Sequence, residues 1–346
     1  MIFNKIKLKA STDRVLWIDA YKGIAILLVI LGHLDITSSL YRFIYMFHMY
    51  AFFFIAGVTF TNCQEDLFNS FFRKNIIRLY LPYLIFAILW DFTNIIVKIF
   101  HGLDCKLSLK VIISHIFYIG IGGGFESSAS IGPAWFLLCL LTSRIIYWLL
   151  VRLLKHSYLI GLTSLLLFIL GHILNDFQKL PFFLVQSLTV YIFIFFGYST
   201  KSFIKSTIYN ISDVLVFGIS LLVCLFISTN IKSDLILMNN HIPKNLLMVL
   251  IGGLSGCIML KYLSIIICKI PKAANFFIYF GINSMIIMGT HSEIRVALNF
   301  LLNPLNINSI LLVLIKFILT LIISIPVIYF MNHYTPFLLG KQKCNK

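Results

Sequence analysis

Charge is scarce in this chain. Asp, Glu, Lys and Arg make up 12% of its 346 residues, against 60% apolar residues and a mean hydropathy of +0.97, and no water-soluble domain covers its surface with so few charges. Acidic residues are the scarcer kind: 12 Asp and Glu face 28 Lys and Arg, leaving a formal net charge of +16. In a soluble chain that excess would suggest nucleic acid. Here apolar runs of about 20 residues recur from end to end, the hydropathy signature of a polytopic helical membrane protein, so membrane lipid is the expected surrounding and no nucleic acid is expected as a partner.

Paired cysteines are missing as well. Seven are scattered, at 63, 105, 139, 224, 257, 268 and 344, with no CxxC and no histidine at ligand spacing. That pattern excludes a disulfide framework and a zinc site, and no resident metal or cofactor is expected. A buried cysteine in a membrane helix usually acts as a small apolar residue. A phosphate loop is absent too, because Gly120–Gly124 has no Lys or Ser/Thr in register and no strand before it. The segments around His33 and His172 share little beyond ILGH, too little for an internal repeat, and His172 reads as an interfacial histidine.

What is present is about ten apolar segments, which predict one all-α transmembrane bundle spanning residues 1–346. They are Val15–Leu34, Phe43–Phe60, Ile76–Phe100, Pro133–Leu154, Tyr158–Leu174, Phe182–Tyr198, Ile211–Ser228, Asn245–Ile267, Phe276–His291 and Ile310–Phe330. The long connection from His101 to Gly132 contains the apolar stretch Val111–Ile121, too short to span, which predicts a re-entrant or interfacial helix before a Gly-rich connector. No convincing pair of helices broken at mid-membrane in matching positions is seen.

Lys and Arg alternate by loop. Those at positions 5, 7, 9 and 14, then Arg73, Lys74, Arg78, Arg152, Lys155, Lys201, Lys205, Lys269, Lys272 and the cluster at 341, 343 and 346 fall on one side. Arg42, Lys106, Lys110, Lys179, Lys232, Lys244 and Arg295 fall on the other and are fewer. By the positive-inside rule both termini are expected in the cytoplasm, in a multi-pass protein of the cell membrane. The first segment lacks a cleavage-site pattern and carries charges, so it reads as a retained helix.

Those charges carry the chemistry. WIDAYKGIAILLVILGH, Trp17 to His33, sets Asp19, Lys22 and His33 inside an apolar helix, where ionisable groups are a functional hypothesis by default. His33 lies eleven positions after Lys22, which puts both on one face about 16 Å apart along the axis. On the expected topology His33 ends the first span, His48 lies one to two turns into the second and His291 ends the ninth, so three histidines reach the outer third of the membrane. Histidine suits a general base near neutral pH. At the opposite face Arg73, Lys74 and Arg78 precede Pro82 and form a candidate site for donor phosphates. Asp19 stands three residues before Lys22, at ion-pair spacing. Asp35 and Glu293 read as solvent-facing.

Arg14–His33, RVLWIDAYKGIAILLVILGH, resembles the opening of the integral-membrane acyltransferase family 3, in particular its fucose 4-O-acetyltransferase-like branch. Further likenesses follow in order: IYMFHMYAFFFIAG at Ile44–Gly57, RKNIIRLYLPY at Arg73–Tyr83, GPAWFLLCLL at Gly132–Leu141, LPFFLVQSLTVYIFIFFGY at Leu180–Tyr198 and GINSMIIMGTH at Gly281–His291. The resemblance implies a ten-helix fold that moves an acyl group, usually acetyl from acetyl-CoA, to a hydroxyl of a glycan or lipid-linked saccharide. It maps the family's basic-x10-His motif onto Lys22 and His33, with His33 catalytic. It maps the cytoplasmic RxxR motif onto Asn75 and Arg78, so the first arginine is absent and Arg73 or Lys74 is the substitute. His48 is retained in the second-helix motif, where Tyr50 replaces proline and Ala56 replaces serine. His48 and His291 join His33 as catalytic candidates, Lys22, Arg73, Lys74 and Arg78 are donor-binding candidates, and Arg14, Asp19 and Trp135 are supporting ones. No soluble esterase-like domain is appended, so transfer directly from the membrane domain is expected. The competing expectation is a secondary transporter or exporter of a glycan intermediate, with Asp19, Lys22 and the histidines as a proton relay.

Overall fold

The computed structural model describes residues 15–60, 68–102, 109–123, 129–174, 180–201, 211–231, 233–239, 241–305 and 308–340. Among these residues the backbone is helical throughout, with one isolated bridge between Ile236 and His241 and no strand. The helices are α1 (Leu16–Gly32), α2 (Ser38–Tyr45), α3 (His48–Val58), α4 (Phe68–Asn75), α5 (Leu81–Phe100), α6 (Leu109–Ile121), α7 (Trp135–Leu153), α8 (Ser157–Ile173), α9 (Leu184–Ser199), α10 (Ile211–Asn230), α11 (Leu246–Ile267), α12 (Pro271–Ile282), α13 (Ser284–Leu302) and α14 (Ser309–His333).

Every expected apolar segment coincides with one of these helices or a helix pair, and the fold is an all-α polytopic bundle. Among the described residues seven helical stretches are long and apolar enough to cross a bilayer, with α2–α3 and α4–α5 each counted as one, or eight if the bent pair α12–α13 counts as one. The shortfall from ten is a matter of length. With 17 residues each, α1 and α8 extend about 25 Å against a hydrocarbon core of about 30 Å.

Two expected spans are not continuous, contrary to the sequence reading. The second breaks at Met46 and Phe47, between α2 and α3. The ninth breaks at Asn283, where α12 and α13 meet at 79°. Asn283 explains how the second break is tolerated: its Nδ2 donates to the Tyr279 carbonyl (2.8 Å), and its Oδ1 accepts from Asn332 Nδ2 of α14 (2.8 Å). Side-chain amides thus replace backbone partners that the bend removes, and they tie the corner to a neighbouring helix. Hydropathy cannot register such breaks, because the halves on both sides are apolar.

Two pairs of glycines set the closest helix contacts. A Cβ on Gly23 would collide with the Phe277 carbonyl, and one on Gly281 with that of Asp19, so α1 and α12 meet backbone to backbone. Gly57 of α3 and Gly197 of α9 repeat the arrangement against the carbonyls of Ile194 and Phe54. Lipid gives helices no hydrophobic reason to associate, and close approach through small residues supplies the packing instead.

Helix α6 matches the expected short segment and lies along α5. His115 Nδ1 donates to Asp91 Oδ2 (2.7 Å), and the last carbonyls of α6, at Ile119 and Gly120, accept from the hydroxyls of Tyr83 (2.5 Å) and Tyr80 (2.7 Å). The chain then returns to the level of Asp91, where the Ser130 N–H donates to Asp91 Oδ1 (2.9 Å). Non-helical backbone at membrane depth needs such protein partners. Among the described residues the segment thus has the course expected of a re-entrant one, with α6 along α5 and Ser130 back at Asp91.

Between α4 and α5 the chain makes a π turn, Ile76–Tyr80. Pro82 has no N–H to donate to the Arg78 carbonyl and its ring crowds that group, and the wider turn relieves both problems.

Candidate active site

Three helices deliver the three histidines. His33 caps the end of α1, His48 is the first residue of α3, and His291 lies in the interior of α13, two turns past the bend and not at a helix end as expected. The break between α2 and α3 and the bend before α13 are therefore part of what brings the rings together. His33 and His291 stand edge to face with centroids 4.9 Å apart. Tyr45, at the end of α2, bridges the others, 6.3 Å from His33 and 4.6 Å from His48.

All three imidazoles are oriented by the same device. Nδ1 of His33 lies 2.8 Å from the Val29 carbonyl, that of His48 2.9 Å from Ile44, and that of His291 2.9 and 3.0 Å from Ile287 and Met288. A carbonyl oxygen only accepts, so each Nδ1 carries the hydrogen and Nε2 is the nitrogen left to take a proton. The histidines differ in what Nε2 meets. That of His291 lies 3.3 Å from Ser292 Oγ. His33 and His48 line a cavity of about 280 Å³, and His291 stands behind them, outside its wall. The geometry thus makes His33 and His48 the candidate bases and His291 a buried support for the His33 ring.

The opposite wall comes from the re-entrant segment and α7. Trp135, a supporting candidate from sequence, lines the cavity, as do Trp90, Ser130 and Gly132. Trp90 Nε1 donates to Ser130 Oγ (2.9 Å), and Asp91 holds both the Ser130 N–H and His115. Asp91 and His115 are buried and fix this wall, although neither stands out in the sequence: each lies in an apolar run without a motif around it.

Arg295 is a third residue whose place in the site sequence reasoning missed. It lies one turn beyond His291 on α13, lines the cavity, and reaches the His33 carbonyl with Nη1 at 3.4 Å, while its Nε is buried without a partner. Its spacing of four residues from His291 was the available signal, since i and i+4 share a helix face. Lys316, nearly fully buried on α14, is a fourth such residue. Its Nζ lies 2.8 Å from Asn303 Oδ1 and 3.5 Å from Asp35 Oδ2, so Asp35 is paired and ties the segment after His33 to α14. Glu293 departs from the solvent-facing expectation: it lines a second cavity, and its carboxylate oxygens are buried.

The donor-site candidates are arranged quite differently. Arg73, Lys74 and Arg78 are exposed, and none of them, nor Lys22, lines the histidine cavity. Lys22 is partly exposed and pairs with buried Asp19 at 3.6 Å. Asn75, where the family motif has its first arginine, is buried and accepts at Oδ1 from Nε of Arg144, which reaches over from α7 (3.0 Å). The Arg144 guanidinium also stands 4.9 Å from the centre of the Phe60 ring. An arginine is thus present beside position 75, contributed by another helix. Arg14 lies outside the described residues. Among the described residues no group of three or more His, Cys, Asp or Glu is disposed to hold a metal ion.

A polytopic membrane bundle with histidines and an arginine gathered round an internal cavity is the class that fold and site define. A family model described as an acyltransferase domain, that of acyltransferase family 3, matches residues 15–329, and the chain belongs to that family. No curated protein and no solved structure matches the chain at a significant level.

Proposed function

We propose that this membrane acyltransferase is an O-acetyltransferase of the fucose 4-O-acetyltransferase-like branch, moving acetyl from cytosolic acetyl-CoA to a hydroxyl of a cell-surface glycan or lipid-linked sugar. The observation that carries the reading is His33: Nδ1 fixed to a carbonyl, Nε2 left as the base, and the ring in the wall of a cavity shared with Arg295 and Trp135. In the reaction Nε2 takes the proton of the acceptor hydroxyl as its oxygen attacks the thioester carbonyl. The C–O bond forms, the C–S bond breaks, and the CoA thiolate leaves with the proton returned by the imidazolium. Arg295 is suited to the oxyanion that develops on the thioester oxygen, since it is a fixed cation in a largely water-excluded site. His48 flanks the acceptor and His291 supports His33.

The donor phosphates are assigned to the opposite, cytoplasmic end, on Arg78 with Arg73, Lys74 and Arg144, and Lys22 lies on the way between them and the base. From Lys22 to His33 the face of α1 runs about 16 Å, a span for the thioester arm to cross. Both termini are assigned to the cytoplasm and the protein to the cell membrane, on the loop charge bias. The broken helices are the observation that favours the alternative, a transporter. They support the enzyme reading better, because one break precedes His48 in the cavity wall and the other precedes His291, whose ring packs against that of His33.

The test is turnover by purified protein in nanodiscs supplied with labelled acetyl-CoA and surface glycan extract. Acetyl appearing on glycan in wild type and absent from the His33→Ala variant supports the proposal. No hydrolysis or transfer of acetyl-CoA by protein that is correctly inserted would instead point to transport.

A further inference from the structure

The seam between α5 and α13 contains a second cavity, of about 670 Å³, which the reaction above does not use. It continues the first one outward along the same two helices. Trp90 of α5 and Ser292 of α13 line the histidine cavity, whereas Thr93 and Glu293, one turn and one residue further on, line the second.

Glu293 is the group that needs an explanation. Both carboxylate oxygens are buried, and neither meets a hydrogen-bonding group of another residue. An unpartnered carboxyl is among the most costly groups to keep within a membrane protein, and it calls for a donor from outside the chain. Thr93, Asn299, Asn303 and His101 make up the rest of the polar lining, and no Lys or Arg is among the lining residues. Its lip is aromatic and open: Phe100 is 76% exposed, Phe300 is 70% exposed, and their rings lie 6.3 Å apart.

We infer that this seam is a lateral binding site for a lipid with an uncharged sugar head group. Sugar hydroxyls donate to Glu293 and exchange hydrogen bonds with Thr93 and Asn299, while the hydrocarbon chain leaves between the two phenylalanines into the surrounding bilayer. Charge decides against a phospholipid. A phosphodiester would meet the Glu293 carboxyl with no Lys or Arg on the lining to hold it, and even an ammonium head group brings such a phosphate along. Resting on the acyl-transfer reading, the inference makes this lipid the acceptor, since its head group lies beside the residue that adjoins the His33 cavity.

Photolabelling of the protein in phosphatidylcholine nanodiscs tests the site. The probes are a diazirine-bearing dodecyl β-glucoside and a diazirine-bearing phosphatidylcholine, with labelled peptides identified by mass spectrometry. The glucoside is expected to label residues 93–100 and 293–303 about tenfold more than the phosphatidylcholine probe, with competition by unlabelled dodecyl glucoside but not by free glucose. Glu293→Leu removes the costly carboxyl, so it should fold at least as well, yet it should lose that tenfold selectivity. Ala297→Trp, which fills the cavity, should lose labelling at these residues altogether. Equal labelling by the two probes in wild type, or selectivity unchanged in Glu293→Leu, overturns the site. Transfer assays on the same samples separate the two readings: wild type that transfers acetyl without selective labelling sinks the lipid site alone, and selective labelling without transfer sinks the enzyme alone.

Discussion

The two ends of the bundle use ionisable residues in opposite ways. At the histidine end the groups are buried, each imidazole is held through Nδ1 by a carbonyl of its own helix, and Asp91, His115 and Ser130 brace the facing wall. At the other end Arg73, Lys74 and Arg78 stand exposed, and only Arg144 is drawn inward onto Asn75. One end has the fixed geometry that bond-making requires, because a displacement of about 1 Å can cost roughly 10²-fold in rate. The other has the loose, cationic character that suits holding a polyanion far from the reacting atoms. Loss of a fixed group should therefore show in kcat, and loss of a loose one in KM.

The largest expected effect is at His33. His33→Ala should lower kcat by about 10²–10⁴, the range for loss of a general base, with little change in insertion or abundance. Full activity in that variant would transfer the role to His48. Arg295→Leu comes next: removal of one donor to a developing oxyanion costs on the order of 10² or more in kcat, with the KM for acetyl-CoA near wild type. If KM rises instead, Arg295 binds a ground-state anion and the contrast between the two ends weakens. Lys22→Met sits between the regimes. On the way from one end to the other, Lys22 should affect kcat and KM together, by roughly tenfold, through misplacement of the thioester.

How far the sequence reveals each end follows from the same contrast. Helices were legible because apolar runs of span length are a property of the segment alone, and His33 because a polar residue within such a run stands out. The breaks at Phe47 and Asn283 were not, since the stability of the second comes from Asn332, 49 residues away. Asp91, His115 and Lys316 went unread for the same reason: their partners lie on other helices, at distances along the chain that no periodicity encodes. The exposed cations were legible as charge, but charge alone says nothing about Arg144 reaching Asn75.

That contact gives the smallest of the expected effects and the sharpest one for the basic end. Arg144 lies in the middle of α7, where a charge is expensive unless it has partners, and its Nε donates to Asn75. If Arg144 together with Arg78 holds the donor phosphates, Arg144→Gln and Arg78→Gln should each raise the KM for acetyl-CoA severalfold, on the order of a lost charge-assisted hydrogen bond, and leave kcat nearly unchanged. Raising the salt concentration should raise the wild-type KM in the same direction, because exposed charges are screened within about 10 Å at ordinary ionic strength. A purely structural Arg144 predicts another pattern: Arg144→Gln would lower the amount of folded protein and leave the KM and its salt dependence as in wild type. Steady-state kinetics at two salt concentrations, on variants checked for yield and orientation, decide between these outcomes. A KM insensitive to both substitutions and to salt would leave the basic end with an anchoring role only.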